Sequence, residues 1–60
     1  MSITLHAPNG AKLYIKPDSI SLIEPNNGTY SDLAKSIVIV NGFHQAVTET
    51  PEEIEGMING

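Results

Sequence analysis

Residues 36–47 have the sequence SIVIVNGFHQAV, and they set the class of fold that this 60-residue chain adopts. The β-branched run at 37–40 predicts a strand that is buried on both faces. Asn41-Gly42 follows at once and is the preferred dipeptide of a type I′ hairpin turn. Residues 43–48 then alternate between two faces, which predicts a second strand of the same hairpin.

A strand that is apolar on both faces needs cover on both sides. One face of residues 37–40 covers the core, and the C-terminal helix or a second subunit supplies the other layer. A chain of this length buries only about 60% of its unfolded surface, and without Cys it has no disulfide to stabilise it. We therefore expect self-association. The predicted interface contains apolar residues of this strand and of the helix: Ile37, Val38, Ile39, Val40, Ile54, Met57 and Ile58.

The upstream half of the chain predicts more strands. Residues 2–7 and 11–16 each alternate apolar and polar side chains, and Pro8-Asn9-Gly10 predicts the turn between them. Pro17-Asp18 interrupts the ladder before a third short strand at 19–24, because Pro has no N–H to donate. The segment that follows, up to residue 35, is interpreted as a loop, with a helical turn or the start of a strand left open.

The C-terminal segment predicts a helix with a defined beginning. Thr50 is placed at the N-cap, Pro51 at the first helical position and Glu53 at the third, which together form a capping box. Ile54, Met57 and Ile58 recur at helical spacing and form one apolar stripe, so the helix needs to pack on the sheet.

These elements predict a single, mainly β domain over residues 1–60. It is a four- to five-stranded antiparallel meander, able to curl into a small, partly open barrel, followed by a short C-terminal helix. The predicted strands cover residues 2–7, 11–16, 19–24, 36–40 and 43–48, and the predicted helix covers 51–58.

The charge balance narrows the classes of partner. Three Lys and no Arg stand against seven acidic residues, which gives a net charge of −4. This argues against nucleic acid and against an anionic membrane surface as partners. No segment has the roughly 20 apolar residues of a membrane span. The N-terminus has neither a basic segment nor a long apolar one, so we expect no signal peptide and a cytoplasmic location.

Residues able to do chemistry occur without a recognisable arrangement. Ser, His and Asp are present, but no nucleophile motif surrounds them, so we predict no enzyme activity and no catalytic residues. His6 and His44 lack the spacing of metal ligands, and we predict neither a metal site nor a cofactor. A recognition loop remains, with Tyr30 as its best anchor. Its candidate binding residues are Asn26, Asn27, Tyr30, Asp32, Lys35 and His44.

The order of these turn and cap signals resembles a known family. Asn9-Gly10 lies between the first strands, Pro17-Asp18-Ser19-Ile20 leads into Ile23-Glu24, and Asn41-Gly42 precedes the strand that ends at the capped helix. This pattern is similar to that of the small FlbD-type flagellar proteins and of short bacterial and phage proteins that share it. The resemblance implies a small cytoplasmic accessory or regulatory protein with no enzyme activity and no cofactor.

Three functions compete at this point. The first is a non-catalytic interaction or regulatory protein that acts as a homo-oligomer and binds an unidentified protein. The second is a binder of a small ligand, a metabolite or nucleotide, in a pocket between subunits near residues 26–35 and His44. The third is a weak single-stranded nucleic-acid binder that uses Tyr14 flanked by Lys12 and Lys16. The net charge favours the third least.

Overall fold

The computed structural model describes residues 1–28 and 32–60 and shows a mostly β chain with one α-helix. The strands form two antiparallel sheets, one of two strands in the order β1-β2 and one of three in the order β3-β4-β5. This confirms the predicted fold class, and the described strands form no closed barrel. In chain order the elements are β1 (Ile3–His6), β2 (Lys12–Ile15), a 3-10 helix (Pro17–Ser19), β3 (Ile20–Pro25), β4 (Ser36–Val40), β5 (Phe43–Val47) and α1 (Pro51–Asn59).

The turn between β4 and β5 has the predicted geometry. A type I′ turn needs positive φ at both central residues, and the φ angles are 52° at Asn41 and 84° at Gly42. The turn fixes the register, in which Val40 pairs with Phe43 and Ser36 with Val47. The prediction from the dipeptide is confirmed.

The meander is divided between β2 and β3. Pro17 begins a 3-10 helix, and the amide of Ser19 donates to the carbonyl of Lys16 at 2.9 Å. Pro17 cannot extend the ladder of β2 because it has no N–H. The chain therefore leaves the two-stranded sheet here and begins the three-stranded one.

The core lies where the two sheets and α1 meet. Four side chains in the core have no exposed surface. Leu5 belongs to the first sheet, Val38 to the central strand of the second sheet, Val47 to an edge strand of the second sheet and Ile54 to the helix. Full burial of such a side chain contributes about 1.5–3 kcal/mol relative to exposure. Among the described residues, the buried members of this cluster are Ile3, Leu5, Ile15, Val38, Val47 and Ile54.

The beginning of α1 is the predicted capping box. The hydroxyl of Thr50 accepts from the amide of Glu53 at 3.1 Å, and the carboxylate of Glu53 accepts from the amide of Thr50 at 2.9 Å. The backbone and side-chain hydrogen bonds of Thr50 lower the pKa of Glu53. None of the helices in the described part of the chain is long and apolar enough to cross a bilayer.

Candidate functional site

The three-stranded sheet has one face turned to the core. Side chains alternate along a strand, and Val38 in the central strand pairs with Ile23 on one side and Gln45 on the other. Val38 is fully buried in the core cluster, and Ile23 packs against that cluster. By this register the inner face contains Ile20, Ile23, Pro25, Ser36, Val38, Val40, Phe43, Gln45 and Val47.

The opposite side of this sheet, here named the outer face, is also largely apolar. Its six residues form two rows across β3, β4 and β5, and neither Ile37 nor Ile39 belongs to the core cluster. Leu22 is 49% exposed and Ile39 is half-buried. An outward face of an antiparallel sheet is ordinarily polar. One row is Leu22, Ile39 and His44, and the other is Glu24, Ile37 and Ala46.

The structure separates the residues of the predicted interface. Val38 and Ile54 are buried in the core of the single chain, and Val40 and Ile58 are partly buried against it. The remaining three residues lie outside that cluster. Ile37 is buried and Ile39 half-buried on the outer face, while Met57 on α1 is 37% exposed.

A second surface, here named the aromatic groove, opens between the two sheets. It has a volume of about 430 Å³, and two large aromatic side chains on its walls are mostly exposed, Tyr14 at 71% and Phe43 at 76%. The walls come from β2 and from the β4–β5 hairpin. The lining residues are Lys12, Leu13, Tyr14, Ile15, Val40, Asn41, Phe43 and Gln45.

Sequence reasoning missed Phe43 as a functional candidate. The alternation places it on the same face as Val47, which is fully buried, and an aromatic residue on that face is expected in the core. The sequence did contain one signal that Phe43 would be exposed, namely its position directly after the turn. The end of a hairpin extends beyond the elements that cover the middle of the sheet. Tyr14 and Lys12, considered for nucleic-acid binding, do lie together in the groove, whereas Lys16 does not line it.

The other junction between the sheets is closed by a polar contact, here named the His6–Glu49 clamp. The Glu49 carboxylate accepts from the backbone amide of His6 at 2.9 Å and lies 2.6 Å from its Nδ1. The amide of Thr48 donates to the carbonyl of His6 at 2.8 Å. The buried Ser36 hydroxyl donates to the carbonyl of Glu49 at 2.6 Å. These bonds connect three separate chain segments, at His6, at Ser36 and at residues 48–49, where the two sheets meet.

The electrostatics of Glu49 match this arrangement. Burial alone would raise the pKa of Glu49, but hydrogen bonds from the His6 side chain and backbone and the charge interaction with His6 together hold it below its ordinary value of 4.5. The residue is only 9% exposed. A buried carboxylate needs such partners, because an unpaired one carries a large desolvation penalty.

The His6–Glu49 clamp contains the carboxylate–imidazole pair that hydrolytic sites use. A carboxylate that holds the Nδ1 of His orients the imidazole in catalytic triads. A nucleophilic hydroxyl must also contact the ring, and between described residues His6 has no hydrogen bond to one. His44 lies on the other sheet, on the outer face. Over residues 1–28 and 32–60, no three His, Asp or Glu side chains converge as metal ligands.

Hydrogen bonds between the two ends of the predicted recognition loop fix its base. The side-chain amide of Asn26 donates to the carbonyl of Ala34 at 2.9 Å, and its main-chain amide donates to the carbonyl of Lys35 at 3.1 Å. The amide of Lys35 donates to the carbonyl of Val47 at 2.9 Å. Asn26 therefore shapes the connection between β3 and β4.

The other loop candidates have different positions. Asn27, Asp32 and Lys35 are exposed, whereas Tyr30 lies outside the described residues. His44 belongs to β5 and to the outer face. The lining of the aromatic groove includes none of the five candidates that the structure describes.

No protein-family model matches the chain, and neither a curated protein nor a solved structure matches it. Function is therefore proposed from the surfaces and side-chain geometry of the chain itself.

Proposed function

We propose that this protein is a non-catalytic interaction protein that acts as a homodimer through the outer face of its three-stranded sheet. The single observation that carries the proposal is that apolar side chains of this face lie outside the core cluster, with Leu22 49% exposed and Ile39 half-buried beside the buried Ile37. Leu22, Ile37, Ile39 and Ala46 occupy four of its six positions. An accessory or regulatory role in the cytoplasm, as the resemblance to FlbD-type proteins implies, agrees with such a scaffold.

Chain length supports a second copy as the occupant. The core cluster contains six buried residues among those that the structure describes, and a 60-residue domain without a disulfide is marginally stable alone. A second copy adds apolar burial without any other component. The outer face is small, so we expect a dissociation constant on the order of 10 μM, as for interfaces at the low end of the size range.

The two polar residues of the outer face fit a symmetric dimer. Glu24 and His44 occupy diagonally opposite corners, because Glu24 pairs with Ile37 in one row and His44 with Ile39 in the other. The other two corners are Leu22 and Ala46. A two-fold axis that runs close to the line between those corners places the Glu24 carboxylate over His44 of the second copy, and the symmetry repeats that contact. The strands of the two copies then cross steeply, as in orthogonal sheet packing.

Sedimentation equilibrium over a concentration series tests the proposal. The wild-type chain of 6.4 kDa should approach twice that mass as its concentration passes roughly 10 μM. Leu22→Lys places a charge on the outer face and should keep the protein monomeric over the whole series. Met57→Lys is the matched control, since it adds the same charge at an exposed apolar residue on α1 and should still dimerise.

The result that would overturn the dimer is a wild-type mass that stays at that of one chain up to millimolar concentration. A dimer that Met57→Lys disrupts and Leu22→Lys does not would place the interface on α1 instead. Circular dichroism of each variant distinguishes loss of assembly from loss of folding.

A charge exchange tests the predicted geometry in more detail. His44→Glu places two carboxylates together at each symmetric contact and should weaken the dimer severalfold. Adding Glu24→His to that variant restores opposite partners and should recover the wild-type affinity below about pH 6. Failure of the double variant to recover would exclude this relative orientation of the two copies.

A further inference from the structure

The aromatic groove is a site that the outer-face dimer does not use. It lies between β2 and the β4–β5 hairpin within one chain, and its residues belong to the inner side of the three-stranded sheet or to the other sheet. A volume of about 430 Å³ is within the range of roughly 300–1,000 Å³ that small-molecule sites occupy. All of the residues that line the groove belong to one chain, so a ligand can enter it without a change in the proposed dimer.

The groove contains both aromatic side chains of the part of the chain that the structure describes. The sequence has one Phe and two Tyr, and Phe43 with Tyr14 line this groove while about three quarters of each is exposed. Leu13, Ile15 and Val40 add apolar side chains to the lining. Flat aromatic ligands stack on such rings, and stacking does not require a particular pattern of hydrogen bonds.

The polar groups of the groove favour an anion. Among the described residues that line it, Lys12 is the one with a charge, although the chain as a whole carries −4. Asn41 and Gln45 add side-chain amides. The Nε2 of Gln45 donates to the carbonyl of Ala46 at 2.9 Å, which orients the amide and leaves its oxygen as the acceptor for a ligand N–H.

We propose that the aromatic groove binds a nucleoside monophosphate, with the base on Phe43 and Tyr14 and the phosphate at Lys12. A site with aromatic walls, one cation and two amides complements a planar heteroaromatic anion. The groove provides one cationic side chain, whereas a nucleic-acid strand gains its affinity from several. The occupant is therefore a single nucleotide. Binding is reversible and involves no covalent step.

Titration of the full-length protein with adenosine monophosphate, followed by amide chemical shifts in NMR, tests the site. The signals of the groove residues should move in a saturable way, with a dissociation constant between about 10 μM and 1 mM. Phe43→Ala and Tyr14→Ala should each weaken binding about tenfold. Both side chains are mostly exposed, so these variants should fold.

One test variant and one matched control separate the contribution of the lysine charge to binding from the contribution of the aromatic rings. Lys12→Gln should weaken adenosine monophosphate about fivefold and leave the weaker binding of adenosine unchanged. Lys16→Gln removes a charge from an exposed lysine outside the groove and should leave both affinities unchanged. The monomeric Leu22→Lys variant should bind like the wild type, so failure of the dimer would not affect this test.

Three results would each overturn the nucleotide site. The first is the absence of shifts at groove residues up to about 10 mM nucleotide. The second is much tighter, steeply salt-dependent binding of an oligonucleotide, which would indicate a strand as the ligand. The third is loss of the dimer in Phe43→Ala, which would show that a second copy fills the groove.

Discussion

The inner and outer faces of the three-stranded sheet differ in cover much more than in composition. The central strand gives Val38 to one face and Ile39 to the other, and both are β-branched. Val38 is fully buried in a cluster with residues of the first sheet and α1, whereas Ile39 is half-buried beside Leu22. Among the described residues, the first sheet and α1 contribute to the core cluster on the inner face, whereas Leu22 and Ile39 on the outer face lie outside that cluster. The unequal cover separates the face that stabilises the single chain from the face that keeps apolar side chains at the surface.

A similar contrast exists between the two junctions of the sheets. At one corner the His6–Glu49 clamp and the Thr48–His6 backbone bond hold β1 against the end of β5. At the beginning of β5, Phe43 is 76% exposed and the aromatic groove opens. The clamp joins the sheets at one corner, and the groove lies between β2 and the β4–β5 hairpin.

The largest effect should come from the inner face. Val38→Ala removes two methyl groups from a fully buried position and should lower the free energy of unfolding by about 2–3 kcal/mol. Ile39→Ala on the outer face should lower it by about 1 kcal/mol when measured at submicromolar concentration, where the protein is monomeric. Urea denaturation provides both values, and equal losses would contradict the distinction between the faces.

The clamp should have the next largest effect and should make stability depend on pH. Glu49→Gln removes a charged acceptor and should lower the free energy of unfolding by about 1–2 kcal/mol at pH 7. The pKa of Glu49 is lowered in the folded state, so its contribution is fully present above its ordinary value of 4.5. That contribution is lost as the pH falls through the folded pKa.

Denaturation measured from pH 7 down to pH 3 tests this prediction. The wild type should lose more stability over this range than Glu49→Gln, so that the two curves converge in acid. Parallel curves would show that the clamp carboxylate does not provide the pH-dependent part of the stability.

The helix cap should have an effect of about 1 kcal/mol. Thr50→Ala removes the acceptor for the Glu53 amide at the beginning of α1 and loosens the helix that covers the inner face through Ile54. Thr50→Ser keeps the acceptor and should retain most of the stability. Thermal unfolding with helix-specific circular dichroism measures both, and an equal loss in the two variants would assign the effect to packing of the Thr methyl group.

The smallest effect on the monomer should come from the edge of the outer face. Leu22→Thr should change the free energy of unfolding at low concentration by less than about 0.5 kcal/mol, because Leu22 is already 49% exposed. The wild-type melting temperature should rise with protein concentration, since dimerisation stabilises the folded state. The variant should lose that rise. Retention of the full concentration dependence would place self-association elsewhere.

The sequence predicted the elements well because their signals are local. Asn41-Gly42 fixed a type I′ turn, and Thr50 with Glu53 fixed the beginning of α1, since both depend on residues within four positions of each other. The candidate sites were harder to predict. The apolar residues predicted for an interface are divided between core and surface, because alternation assigns a residue to a face without stating which face is covered.

Local chemistry in the chain specified four to five strands, a hairpin turn, a capped helix and a mainly β fold, because each follows from the preferences and periodicity of neighbouring residues. Tertiary packing was needed to decide that Val38 faces inward while Ile39 does not, that His6 meets Glu49 across 43 positions, and that Phe43 borders a groove. The reason is physical. Hydrogen bonding and periodicity act along a few residues, whereas burial depends on which distant segments arrive to exclude water.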